Sequence, residues 1–405
     1  LKTIFDIRYS KSKRYVRTSI KMAAISGFTL AKKFPMEDAI QFSENIGVLA
    51  DGHGSYLGAD IAEFACAKAM EALSYNQATM FNQDVSLNPD QFYETMPKLF
   101  ADIHHEYLQK ISQIPSTVVD NNVPTQHGNI VRGGTTLSVM YHGTYEERPY
   151  IMTANVGDSD AFIFTVKDGL YNWKQLTTTH EPTSQAEYFR VQKRGQYAAH
   201  FVYDTIGSHT VATHLPIFEP DGTMIRYEDT YTPYSDASDE YNKAWTAYQN
   251  AKKAGEPFKE LRVKLNEEMK KYQLAMVKYR SSPDSRRNIA TARGDRAAYM
   301  MCDSFNPSNA IKIAMTRSIG DYAGHKVGLT HEPAVDITWL ELGDVERAVF
   351  FMASDGVLDS YKMEELAKVV LETEPSLLMP KFKAKSIELF HKQHDDMAFV
   401  LKQLK

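Results

Sequence analysis

Apolar residues run up to, or away from, an acid at several places along the chain. "NIGVLAD" closes on Asp51, and "TTLSVMYH" covers residues 135 to 142. "YIMTANVGDSDAFIFTV" carries Asp158 in a Gly-Asp-Ser turn, "AVFFMASDG" reaches Asp355, and "DDMAFVLKQL" opens on Asp395 and Asp396. Such β-branched and aromatic runs beside turn residues predict strands. Helical spacing lies between them: Ile61, Phe64, Ala65 and Leu73; Phe92, Met96, Leu99 and Phe100; Met363, Leu366 and Val370. These stripes predict helices with one face in the core. The strands come in clusters rather than alternating regularly with helices, which argues against a doubly wound parallel sheet.

Residues 236 to 281 differ in texture. They are charged, rich in helix formers and broken once at Gly255-Glu256-Pro257. Two antiparallel helices joined by that break are expected.

Composition narrows the function classes. The chain has 405 residues, 43% of them hydrophobic, enough for one large domain or two ordinary ones. Its net charge of -5 gives no bias toward nucleic acid or anionic membrane. Cys66 and Cys302 are too few for a disulfide framework and lack zinc-site spacing, so a reducing, cytoplasmic setting is expected. No apolar run is long enough to cross a bilayer, and no signal-peptide core lies near Leu1. Residues 1 to 35 are basic, with Asp6 the one acid before residue 37. A basic N-terminal arm over residues 1 to 24 is expected to be a solvated end; an anion-binding or targeting role stays open.

The acids beside the strands carry the chemistry. Any one of them could be a turn former or a helix cap. Four strand ends using the same device suggest convergence. Converging carboxylates repel unless cations sit among them, and an oxygen-only ligand set suits Mg²⁺ or Mn²⁺. Two such ions lower the pKa of a shared water and stabilise charge on a phosphoryl group, which points to phosphate-ester hydrolysis. Other chemistries fare worse. There is no G-x-x-x-x-G-K-[ST] loop, and the His-Glu-Pro tripeptides at His180 and His331 do not extend to H-E-x-x-H. His104 and His105 are expected on an exposed helical face. Neither cysteine sits in a C-x-x-C or a Cys-Arg loop.

The series "MEDA", "DGHG", "GGTTLSV", "ANVGDSDAF", "LTTTHEPTSQAEYFRV", "MTRSIGD", "ASDGVLD" and "DDMAFV" resembles the metal-dependent protein phosphatases of the 2C type. The motifs follow the family order from about residue 25 to residue 402. The resemblance implies an α+β fold: a four-layer αββα sandwich of two antiparallel sheets flanked by helices. It implies a phosphoserine/phosphothreonine protein substrate, two Mg²⁺ or Mn²⁺ ions with a weaker third, and direct attack by a metal-bridging hydroxide with no phosphoenzyme. Carried over position by position, Asp51 matches the carboxylate bridging both metals, and Gly52 offers its carbonyl to one of them. Asp355 and Asp395 match ligands of the first metal, Glu37 matches an acid of the second with Asp38 beside it, and Asp158 and Asp359 match acids of the third. His53 matches the general acid that protonates the leaving oxygen, a role suited to an imidazole.

The chain also departs from the family pattern. Lys33 stands four residues before Glu37, where the family usually has a phosphate-gripping Arg; lysine lacks the planar two-pronged grip, so weaker phosphate binding, or compensation from Lys32 or another basic residue, is expected. Asp160 follows the Gly-Asp-Ser turn where Arg is common, and Asp396 replaces the Asn of the last motif. On the order of ninety extra residues lie between Arg190 and "MTRSIGD". The helical pair lies inside that excess, in the flap region of a domain spanning residues 25 to 405. It is expected either to choose substrates or protein partners or to be a solvated excursion. Three functions follow. The first is an active, monomeric phosphoprotein phosphatase. The second is a phosphatase-like pseudoenzyme that binds a partner through its insert or basic arm. The third is a metal-dependent hydrolase of small phosphates. Retention of so many mutually repelling acids favours the enzyme.

Overall fold

The computed structural model describes residues 25–32, 34–54, 56–80, 89–194, 200–203, 216–225, 231–281, 292, 298–302 and 311–405. The N-terminal arm and Lys33 lie outside the described residues. The first elements are β1 (Ile25–Leu30), β2 (Asp38–Phe42), β3 (Ile46–His53), α1 (Tyr56–Met80) and α2 (Pro89–Ser112). Next come β4 (Thr117–Asp120), β5 (Val123–Gln126), β6 (Asn129–Ile130), β7 (Gly134–Thr135), β8 (Leu137–Tyr145), β9 (Arg148–Val156), β10 (Asp160–Lys167) and β11 (Leu170–Gln175). The middle holds α3 (Gln185–Arg194), β12 (His200–Tyr203), α4 (Tyr231–Ala254), α5 (Lys259–Ser281), β13 (Ala298–Cys302) and β14 (Ile311–Ile313). The chain closes with β15 (Ile319–Gly320), β16 (Ala334–Trp339), β17 (Arg347–Ala353), α6 (Asp355–Leu358), α7 (Met363–Glu372), α8 (Pro375–Phe390) and β18 (Met397–Gln403).

Two large antiparallel sheets result, beside the small three-stranded sheets β4-β5-β6 and β12-β13-β14. One has the order β1-β18-β17-β10-β11; the other has the order β15-β7-β3-β8-β9-β16, with β2 also paired to β3. Between the sheets lie Ile25, Leu49, Met140, Ile151, Ile163, Phe350, Met352 and Val400. Helices α1 and α2 cover the second sheet, packing Ile61, Ala65, Phe92 and Phe100 against Val48, Val139 and Met152. Helices α6 to α8 cover the first, packing Val357, Leu366 and Phe382 against Phe164, Phe351 and Phe399. The result is the expected four-layer αββα sandwich: each sheet buries one face on its partner and the other on helices.

Strand register brings the acid-bearing ends to one edge. Asp38 lies opposite Asp51 in the β2–β3 pair. Asp160 lies opposite Ala353, two residues before Asp355. Ala353 lies in turn opposite Phe399, close to where β18 emerges from Asp395 and Asp396.

The region between α3 and "MTRSIGD" has its own small core of Tyr188, Val191, Ile217, Phe218, Met300 and Ile313. There α4 and α5 pack side by side through stacked Tyr234–Tyr279 and Tyr241–Tyr272 rings, with centroids 4.8 and 5.4 Å apart. Their break falls at Gly255, whose φ of +71° is the left-handed conformation that ends a helix.

The structure corrects one expectation. His104 is buried at 5% exposure, while His105 is exposed. His104 falls on the same α2 face as Phe100 and Tyr107, and the 319–322 segment closes over it: Gly320 N–H donates to His104 Nδ1 and Tyr322 O–H to the His104 carbonyl.

Candidate functional site

At the shared edge, Asp38, Asp51, Asp158, Asp355 and Asp395 face one another. Asp51 is central, repelled electrostatically by Asp38, Asp355, Asp158 and Asp395. Burial, then these neighbours, holds Asp51 well above the ordinary carboxylate range. Burial likewise raises Asp38; the Ser354 hydroxyl, donating to its Oδ2 at 2.8 Å, pulls the other way. Asp158 is pushed up to about 8 by burial and by Asp355, Glu181 and Asp160. Asp355 is pushed up to about 6 by burial and Asp395. Acids raised in this way favour their protonated forms, and cations among them would relieve the same repulsion.

The backbone around Asp51 is fixed. Its N–H donates to Thr136 Oγ1 at 2.9 Å, and its carbonyl accepts from Thr135 Oγ1 at 3.0 Å and Thr136 N–H at 2.8 Å. Gly52 donates its N–H to the Glu37 carbonyl at 3.0 Å, and a Cβ on Gly52 would stand 2.3 Å from the Gly58 carbonyl oxygen. Only glycine lets the strand pass there. Gly356 is tighter still: its Cβ would lie 1.8 Å from the Asp396 carbonyl oxygen, so the segments carrying Asp355 and Asp395 meet backbone to backbone.

The two departing acids acquire structural roles. Asp396 is buried; its Oδ2 accepts the Glu37 N–H at 2.8 Å and its Oδ1 accepts the Lys32 N–H. It thereby fixes the loop that carries Lys32 and the buried Glu37. Asp160 accepts from Thr177 Oγ1 at 2.7 Å and Thr179 Oγ1 at 2.5 Å, tying down the "LTTTH" turn.

His53 stands beside the acids on β3. Its Nε2 contacts Asp321 Oδ1 and Oδ2 at 2.9 and 2.8 Å, and Ser318 Oγ donates to Asp321 Oδ2 at 2.7 Å. The other ring nitrogen, Nδ1, is buried and makes no hydrogen bond among the described residues. Burial opposes a charge on His53, but Asp321, with help from Asp158 and Glu37, outweighs it and raises the imidazole. Burial also opposes a charge on Asp321, and His53 and Ser318 outweigh it, so that carboxyl is lowered. Sequence reasoning quoted Asp321 within "MTRSIGD" without giving it a role. The available signal was another Gly-Asp turn.

The remaining expected residues are less central. Lys32 Nζ lies 3.8 Å from Asp395 Oδ1. Asp359 follows Asp355 by one helical turn, and its carboxylate lies 3.9 Å from His394 Nε2. Lys33 is outside the described residues.

An oxygen-only donor set, half-buried, in which Asp38, Asp51, Asp158 and Asp355 are raised by burial and by neighbouring acids, fits hard divalent cations. Among the described residues no three carboxylates bring one oxygen each within 4.8 Å of one another. No helix among the described residues is long and apolar enough to cross a membrane.

Residues 14–205 match the family described as Protein phosphatase 2C. Comparison with curated protein sequences gives no match. Among solved structures, the chain is similar to serine-threonine phosphatase 2C from Toxoplasma gondii, with TM-score 0.52 and 12% identity over 94% of each chain. It is also similar to a C. elegans sex determining protein, with TM-score 0.50 and 15% identity over 96% of this chain; this chain spans 66% of that one. These likenesses show the fold alone. The family match covers the segment bearing Glu37, Asp51, His53 and Asp158, and the shared fold adds the strands beside Asp355 and Asp395. Residues 14–205, just under half of this chain, therefore match the protein phosphatase 2C family, and the fold is similar to that of a serine-threonine phosphatase 2C.

Proposed function

We propose that this chain hydrolyses phosphoserine and phosphothreonine in proteins at the Asp51 recess. The carrying observation is a set of half-buried carboxylates raised by desolvation and by one another. Asp51, Asp355 and Asp395, the Gly52 carbonyl, and Glu37 with Asp38 would hold two Mg²⁺ or Mn²⁺ ions; Asp158 and Asp359 would serve a weaker third. When bound, the ions supply a water of lowered pKa and positive charge for the phosphoryl oxygens.

The chain's own residues do the rest. Strand pairing sets Asp38 opposite Asp51, so both acids are carried on one rigid hairpin. Asp396 holds the Glu37 backbone and keeps that acid facing the recess. His53, kept protonated by Asp321, gives its proton to the departing serine or threonine oxygen. Lys32, with Lys33 beside it in the chain, offers positive charge to the incoming phosphate. Asp321 carries no proton to substrate; it orients the imidazole and stabilises its charge.

The helical pair is proposed to contribute to partner choice. Its support is the apolar surface it exposes at Trp245, Val263, Leu274 and Val277. Unchanged activity and unchanged partners after deletion of residues 236 to 281 would remove this role.

The test is phosphate release from an aryl phosphate and from a phosphothreonine peptide, with Mn²⁺, with Mg²⁺ and with chelator, for wild type and Asp51→Asn. Activity indifferent to chelator, or undiminished in Asp51→Asn, refutes the metal mechanism. A folded, metal-loaded wild type without activity supports the pseudoenzyme instead.

A further inference from the structure

Two histidines set aside in the sequence, His104 and His331, come together in space with a third, His325. His104 comes from α2, His325 from the short 3-10 turn Gly324–Val327, and His331 from the second His-Glu-Pro tripeptide. Their ring centroids are 4.4 Å (His104–His325), 4.5 Å (His104–His331) and 5.5 Å (His325–His331) apart. One ligand nitrogen from each lies within 4.8 Å of the other two. Two of these rings have an unmet demand: His325 Nε2 and His331 Nδ1 are buried without a hydrogen-bond partner among the described residues. A buried polar atom left unpaired costs free energy that a ligand can recover.

We propose that His104, His325 and His331 form a binding site for a borderline-soft divalent transition-metal ion, Zn²⁺ by ligand type, separate from the carboxylate recess. Neutral imidazole nitrogens suit Zn²⁺, and a three-histidine set leaves a fourth position for water. Burial, reinforced by the neighbouring rings, lowers His104, His325 (to about 3) and His331, so all three are neutral and ready to ligate near neutral pH. The nitrogens must draw inward, since tetrahedral ligands at about 2.0–2.1 Å from zinc stand roughly 3.3 Å apart. His104 Nδ1 accepts a long 3.2 Å hydrogen bond from Gly320 N–H, and an ion would compete for that lone pair. Gly320 precedes Asp321, the partner of His53, so the ion would sit directly behind the residue that positions the acid.

The proposal rests on geometry independent of the phosphatase reading, and its test separates the two. Zn²⁺ is titrated against a chromophoric chelator in excess Mg²⁺, using wild type, Asp51→Asn, His325→Ala and His331→Ala, with far-UV circular dichroism to confirm folding. One equivalent should bind in wild type and in Asp51→Asn. Binding should weaken by at least about a hundredfold in the two histidine variants, since losing a ligand should cost at least as much as losing its outer partner. Equal affinity in the histidine variants, or no equivalent bound by folded wild type, overturns the site. Should the histidine variants fail to fold, Co²⁺ added to Asp51→Asn decides: intense visible bands of a tetrahedral nitrogen-rich site support it, and a weak octahedral spectrum overturns it.

Discussion

Two regions of this protein bury carboxylates in opposite ways. Glu187 on α3 is 3% exposed and carries its own counter-ions. Arg190 donates to it from Nε and Nη2 at 3.0 and 2.7 Å, Arg317 from Nε and Nη2 at 3.1 and 2.7 Å, and Thr316 Oγ1 at 2.8 Å. Burial opposes its charge, yet the two guanidiniums win and hold it well below the carboxylate range. In the Asp51 recess, burial and neighbouring acids act in the same direction, and the acids rise. The clamp is electrostatically complete as protein: it pins α3 to "MTRSIGD". On the proposed reading, cations from outside complete the recess. Acids paired within the chain build structure, whereas acids crowded together mark a site for something the chain does not encode.

The sharpest way to break this contrast is Asp51→Asn. Phosphatase activity should fall at least about a thousandfold in the presence of Mn²⁺, corresponding to several kcal/mol of lost charge stabilisation. Stripped of metal, the same variant should melt higher than wild type, because one member of a repelling set is gone.

Glu187→Gln should do the reverse. It should cost about 3–5 kcal/mol in urea unfolding with or without metal, because two buried guanidiniums lose their partner. The pH slopes should oppose as well. Asp158 and Asp355 are raised, so their contribution to metal-free stability is full below pH 4 and is lost as pH rises through about 6 and about 8. Glu187 is lowered, so its contribution is present above its ordinary value and is lost as pH falls through its depressed one. Melting temperatures of wild type and Glu187→Gln across this range, with and without Mg²⁺, separate the two.

A smaller effect is expected at Asp321→Asn. Without the anion, burial outweighs what Asp158 and Glu37 still contribute, and the His53 pKa falls. The alkaline limb of kcat/KM should move about one pH unit lower, with kcat reduced roughly tenfold to a hundredfold. A purely structural role would lower activity without moving that limb. The smallest effect is Asp396→Asn. One amide oxygen cannot accept from both Lys32 and Glu37 N–H groups as Asp396 does, so about 1–3 kcal/mol of stability should be lost in urea unfolding.

The strand-end acids were legible because each stands where an apolar run meets a turn. Asp51, Asp158, Asp355 and Asp395 repeat one local pattern, and local patterns survive in a linear text. The four-layer sandwich did not follow from periodicity; sheet-on-sheet packing is long-range and came from the motif series. Register was hidden for the same reason, so the Asp38–Asp51 pairing could be seen only in the fold. Asp321 escaped because its apolar neighbour Ile319 begins a strand of only two residues. His104 was misplaced because an apolar stripe counts histidine as polar, although it shares a face with Phe100 and Tyr107. Asp396 read as a lost Asn, and the structure shows it accepting two backbone N–H groups.

The most direct test of the central claim is calorimetric titration of Mn²⁺ into metal-free protein near pH 7, repeated in buffers of different ionisation enthalpy. If the recess holds protons in place of cations, binding should release about one proton or more from the Asp51 set, and Asp51→Asn should bind far more weakly. Tight binding without proton release, or binding unchanged in Asp51→Asn, would contradict the account.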